Sequence, residues 1–109
     1  RDITKRPKMG AIAATLSTKV IFTSDNPRSE NPLAIIDSIE KGVPGEYFSK
    51  TISISDRKQA IKTACQLANE GDIILIAGKG HETYQEIKGE RFDFDDFKII
   101  NELLKALNK

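Results

Sequence analysis

The chain has few of the residues that build covalent or metal-centred sites: one cysteine and one histidine in 109 residues. A lone Cys65 forms no disulfide within the chain. It falls in a helical pattern, where a small buried thiol suits a reducing compartment, so the cytoplasm is the expected location. His81 has no second histidine to share a metal with, and no metal site is predicted. No apolar run approaches the ~18 residues that cross a bilayer, and no signal-peptide pattern opens the sequence. The 17 basic and 16 acidic residues nearly cancel, which removes any general attraction to nucleic acid or to an anionic membrane. Neither the Walker pattern G-x-x-x-x-G-K-[ST] nor the Rossmann pattern G-x-G-x-x-G occurs. Asp93, Asp95 and Asp96 lack the glycine and terminal glutamate of a calcium loop, and read instead as a helix N-terminus.

What is present is an alternation of helices and strands in a single domain, 1–109. Met9, Ile12, Ala13 and Leu16 recur at helical spacing and predict an amphipathic helix over about 8–17, with those four residues facing inward. Val20–Ser24 reads as a strand. Asn31 as N-cap and Pro32 at the first helical position open a helix over about 32–41, with Ile35, Ile36 and Ile39 inward and Gly42 as its stop. Val43-Pro44-Gly45 is turn chemistry, and Lys50–Ser53 is a weak strand. Ser55 or Asp56 caps a helix over about 56–69 that faces inward through Ala60, Ile61, Ala64, Leu67 and Ala68 and ends at Gly71. The uninterrupted run Ile73–Ala77 predicts a strand covered on both faces, as in the middle of a parallel sheet. Tyr84–Ile87 and Arg91–Phe94 predict a hairpin around Lys88-Gly89-Glu90. A last helix begins at Asp95 or Asp96 and buries Phe97, Ile100, Leu104 and Leu107. The fold class is therefore α/β, with a mostly parallel sheet, flanking helices and a C-terminal hairpin. A sheet of this kind ordinarily begins with a strand, so its first strand is expected upstream of Arg1.

Ligands in parallel α/β sheets bind at the carboxyl ends of strands. Two such ends carry chemistry here. Asp25-Asn26-Pro27-Arg28 combines a carboxylate, an amide, a rigid turn residue and a guanidinium able to grip a carboxylate or phosphate with two parallel hydrogen bonds. This set suits a ligand bearing both charges, such as an amino acid; it equally suits a surface turn in which Asp25 and Arg28 pair. Gly78-Lys79-Gly80-His81-Glu82 lets backbone amides approach a ligand closely, and Glu82 can receive an ammonium. A Gly-rich turn with a solvated glutamate is the plainer alternative. Arg1, Lys5, Arg6 and Lys8 form either an anion-binding cluster or a solvated basic stretch.

In order, R-D-x-x-K-R-P-x-M-G-A-I-A, S-D-N-P-R-x-E-x-P and G-K-G-H-E-x-Y-Q closely resemble the C-terminal domain of the Mur ligases over nearly the whole chain. The resemblance implies a Rossmann-like third domain of a cytoplasmic, ATP-dependent amide-bond ligase of peptidoglycan precursor synthesis. There an acyl phosphate made from the UDP-N-acetylmuramoyl-dipeptide is attacked by an incoming amino acid. Within the family, D-N-P-R is the form associated with meso-diaminopimelate, and lysine-adding relatives usually depart from it. Carried over residue by residue, the diaminopimelate contacts are Arg1, Asp25, Asn26, Arg28, Gly78 and Glu82. The resemblance assigns ATP and Mg2+ to other domains, chiefly a central ATPase domain, and implies no catalytic residue in this chain. Taken alone, the chain is expected to be inactive. A lysine-adding relative, or a non-catalytic module binding an amino acid or small anion, remains the alternative.

Overall fold

The structure, a computed structural model, describes residues 4–25, 29–77 and 83–109. Helix α1 spans Lys5–Leu16. It begins earlier than its apolar pattern suggests because Pro7 falls in the first turn, where a missing N–H and a fixed φ are tolerated. The face it buries is not the expected one. Met9, Ile12 and Leu16 are 56%, 60% and 81% exposed, while Arg6, Gly10 and Ala14 are buried. The reason is a close approach to α2 (Pro32–Glu40). A Cβ on Gly10 would overlap the Ile39 carbonyl, and one on Gly42 would overlap the Pro7 carbonyl. The two backbones meet where side chains would hold them apart, so α1 turns its smallest residues inward. Lys50 closes the end of α1, its ammonium donating to the carbonyls of Ala14 (3.0 Å) and Ser17 (3.1 Å).

Strand β1 (Val20–Phe22) pairs in parallel with β2 (Thr51–Ser53), in the register Val20↔Thr51, Ile21↔Ile52 and Phe22↔Ser53. Between them α2 opens as its sequence predicts, with Pro32 first in the helix and the Asn31 side chain accepting from the Leu33 amide. Ile36 is the buried centre of its inner face. A short 3-10 helix, Gly45–Lys50, occupies what reads in the sequence as a turn and the start of a strand.

Helix α3 (Arg57–Leu67) is capped by Asp56, which accepts from the amides of Lys58 and Gln59. Ala60, Ile61 and Cys65 lie in the core. Leu67 does not, being 42% exposed, and Gly71 does not stop the helix. The helix ends at Leu67 with Ala68 as C-cap, and Gly71 adopts φ +90° in the turn beyond. The terminal carbonyls are taken instead by Lys109, whose ammonium donates to Cys65 O (2.9 Å) and Ala68 O (2.6 Å). A cation at a helix C-terminus does there what a left-handed glycine does elsewhere.

The expected central strand at 73–77 is overturned. No strand pairing is described for this run, and Ile73 and Leu75 are 94% and 86% exposed. Exposure alternates along it, with Ile74 and Ile76 half-buried and lining a hollow with Phe97 and Ile100. One side of the run thus meets the last helix and the other meets solvent, because no described strand lies beside it. The parallel part of the sheet is the β1–β2 pair, and the hairpin forms a second, separate sheet.

That hairpin, β3 (Tyr84–Ile87) and β4 (Glu90–Asp93), is antiparallel, with Ile87 opposite Glu90. Its turn has two residues rather than three. Lys88 and Gly89 both take positive φ, +51° and +82°, the two-residue turn whose twist matches the strands. Helix α4 (Asp96–Ala106) begins at the Asp95 cap. Ile100, Leu104 and Leu107 are half-buried, but Phe97 is 73% exposed. The α/β class holds, with helices packed about a parallel strand pair and a hairpin near the C-terminus.

Candidate functional site

At the carboxyl end of β1 the chain is held in place before any binding residue is reached. The backbone ladder extends one step past the strand, with the Ile54 amide donating to Phe22 O at 2.9 Å. The buried Ser24 hydroxyl then donates to the carbonyl of Ser55 at 2.6 Å. From the hairpin, the Gln85 amide reaches across and donates to the carbonyl of Asp25 at 2.8 Å. Asp25 is half-buried at the strand end where the sequence puts it. Its main-chain carbonyl is one atom by which its position is fixed.

The centre of this network is Arg57, the first residue of α3, only 3% exposed. Its guanidinium grips Asp96 with two parallel bonds, Nε to Oδ1 at 2.8 Å and Nη2 to Oδ2 at 2.7 Å. The remaining donors go to two main-chain carbonyls, Nη1 to Ser24 at 3.1 Å and Nη2 to Ala77 at 3.1 Å. One side chain therefore links the end of β1, the end of the 73–77 run and the first residue of α4. Such an arrangement needs a planar fork with several fixed donors, which only arginine supplies.

Beyond Arg28, the chain is anchored a second time. Arg6 donates to both oxygens of Glu30, Nη1 to Oε2 at 3.1 Å and Nη2 to Oε1 at 2.9 Å. This hydrogen bonding, opposed by partial burial and aided by the carboxylate charge, raises the Arg6 pKa further above its ordinary value. The basic cluster read from the sequence is thereby split. Arg6 is buried against Glu30, while Lys5 and Lys8 are exposed.

Of the six predicted diaminopimelate contacts, Asp25 lies among the described residues. Arg1, Asn26, Arg28, Gly78 and Glu82 lie outside them, as do Lys79, Gly80 and His81. Asp93, Asp95 and Asp96 form no cation site: Asp95 caps α4 and Asp96 is committed to Arg57. Among the described residues, no group of three or more His, Cys, Asp or Glu is placed to hold a metal. Nor is any described helix long and apolar enough to cross a membrane. Sequence reasoning passed over Arg57, Gln85 and the Arg6–Glu30 pair. The available signal was an arginine directly after an N-cap aspartate, where the helix dipole disfavours a cation and a buried acid must compensate.

Residues 1–80 match the family model for the Mur ligase, glutamate ligase domain. The UDP-N-acetylmuramoyl-L-alanyl-D-glutamate–2,6-diaminopimelate ligase of Cytophaga hutchinsonii is 59% identical over the whole chain. The ligase of the same name from Bacillus velezensis is 55% identical, also over the whole chain. The chain spans 22% of the length of each. A solved structure of a ligase with this name superposes with a TM-score of 0.90 at 43% identity, covering all of this chain and 22% of that one.

Proposed function

The chain belongs to the Mur ligase family, and we propose that it is the substrate-binding C-terminal domain of a ligase that adds meso-diaminopimelate to UDP-N-acetylmuramoyl-L-alanyl-D-glutamate. The observation that carries this reading is the likeness, over the full chain, to ligases named for that addition. The geometry supports it. Asp25 stands at the carboxyl end of a parallel strand, with the chain anchored before it and again at Glu30.

In this reading, Arg1, Asp25, Asn26, Arg28, Gly78 and Glu82 contact the incoming amino acid. Diaminopimelate differs from lysine by a carboxylate on its distal carbon. Arg28 with Asn26 holds that carboxylate, and Asp25 or Glu82 receives an ammonium. Lysine leaves Arg28 without its partner, and a site built on such a bond can reject the analogue lacking it by ~10⁴ or more. The domain's part in the reaction is to orient the attacking amine when it meets the rest of the ligase.

ATP and Mg2+ do not fit the residues at hand. The sequence has no Walker loop, and the described residues have no carboxylate group suited to a metal. We assign both to other domains of the ligase and derive no step through them. The partners are then the dipeptide precursor, meso-diaminopimelate and the central ATPase domain, and the setting is the cytoplasm, where such precursors are assembled.

Titration of the intact ligase with meso-diaminopimelate and with lysine, read by thermal shift, tests the reading. Diaminopimelate is expected to raise Tm where lysine at the same concentration does not, and Arg28→Ala is expected to erase the difference. Equal shifts for the two amino acids in the unmutated enzyme would overturn the choice of substrate.

A further inference from the structure

We propose that Arg57 is a positioning residue for the amino-acid substrate, setting the distance between the two halves of its site through its bonds to Ser24 and Ala77. The inference rests on the site proposed above and assigns a role to a residue outside it. Ser24 immediately precedes Asp25, and Ala77 immediately precedes Gly78. Among the described residues, no strand pairing joins the 73–77 run to β1. The separation of the two stretches is therefore left to side chains, and Arg57 bonds a main-chain carbonyl on each, Ser24 O and Ala77 O.

A residue serving only the core would need no more than its ion pair. Arg57 has that pair in Asp96, and its bidentate form fixes the guanidinium plane while Nη1 and Nη2 still donate to the two carbonyls. Asp96 is held in turn at the start of α4. Gln85 adds a second tie, from the hairpin to Asp25, so the strand end is gripped from both flanks. The carbonyls of Ser24 and Ala77, at which the two stretches leave for the proposed site, are thereby held a fixed width apart. A shift of about 1 Å in that width is enough to cost a large factor in productive binding.

The test uses the intact ligase, with KM measured separately for meso-diaminopimelate, ATP and the nucleotide-linked dipeptide. Arg57→Lys keeps a cation beside Asp96 but loses the fork that spans two carbonyls. Asp96→Asn keeps the size of the partner and loosens its hold. Each is expected to raise KM for diaminopimelate by about tenfold or more, with the other two constants within about twofold of wild type. A purely structural role gives a different pattern, lower Tm and lower kcat with all three KM values unchanged. That pattern in either folded variant overturns the proposal.

Arg28→Ala, measured alongside, separates two kinds of failure. If it raises KM for diaminopimelate while Arg57→Lys and Asp96→Asn do not, the positioning role alone is wrong. If it leaves KM and selectivity unchanged, the site reading falls and the positioning role falls with it. Hydrogen exchange on the unmutated ligase needs no variant. Added meso-diaminopimelate is expected to slow exchange at Asp25 and Ala77 together, and slowing at one without the other overturns the proposal.

Discussion

The two strand ends that bear the candidate site are alike in sequence, each a short apolar run passing into loop chemistry, yet they are held by different means. The β1 end is held by a ladder to β2, by the Ser24–Ser55 bond and by Gln85. The 73–77 end has no described strand pairing; Ile74 and Ile76 lean on α4, and its main chain is tied by the bond from Arg57 to the Ala77 carbonyl. Phe22 at the first is 6% exposed, whereas Leu75 at the second is 86% exposed. The lesson concerns where robustness lies. Backbone pairing distributes the load over many bonds, while a side-chain anchor concentrates it on one residue.

The largest effect should come from removing that anchor. Arg57→Leu leaves Asp96 buried without its partner and two carbonyls without donors, a loss of about 3–5 kcal/mol. Urea denaturation measures the loss. Limited proteolysis should show cleavage appearing at 73–77 before any near β1. Gln85→Leu acts on the opposite end and deprives the Asp25 carbonyl of its donor, costing about 1–3 kcal/mol. Because the ladder and Ser24 remain, exchange at β1 amides should change little; a β1 that opens as readily as 73–77 does in Arg57→Leu would abolish the contrast.

Alkaline pH loads the far end of α3 instead. Burial pushes the Cys65 thiol above its ordinary value, and the nearby Lys109 ammonium offsets part of that rise. An acid whose pKa is raised on folding contributes stability that is present below its unfolded pKa and lost as pH climbs through the folded one. Stability is therefore expected to fall above about pH 8.5. Cys65→Ala should flatten that decline, checked by urea midpoints across the range. The smallest effect belongs to Leu75→Ser, within about 0.5 kcal/mol, since almost nothing of that side chain is buried in this chain. A loss comparable to that of Gln85→Leu would mean that the outer side of the 73–77 run, and not only Ile74 and Ile76, is supported by packing.

Local chemistry was legible, and long-range pairing was not. Asn31, Asp56 and Asp95 announce their helices because an N-cap acts within three residues of itself. The hairpin is readable from Lys88-Gly89 for the same reason. By contrast, the inner face of α1 is decided by a backbone on another helix. Its periodicity selected Met9, Ile12 and Leu16, whereas contact with Ile39 selected Gly10. Phe97 reads as core by its spacing, yet α4 leaves it outside. Apolar composition made Ile73–Ala77 a buried strand, but burial needs neighbours that composition does not name. Asp25 was read correctly as standing at a strand end. Arg57 was missed because its partners lie 20 to 39 residues away, beyond any local pattern.

Helices α3 and α4 are both 11 residues long, and they are fastened to one another at both extremities. Arg57 and Asp96 join their first residues, and Lys109, just past the end of α4, grips the last carbonyls of α3. Two equal rods pinned head to head and foot to foot lose the freedom to slide along or swing about each other. A slip of one turn, about 5.4 Å, would have to break both fastenings together. The pair therefore behaves mechanically as a single strut. Through Asp96 and Arg57, a displacement of the strut is coupled to the Ser24 carbonyl beyond the end of β1.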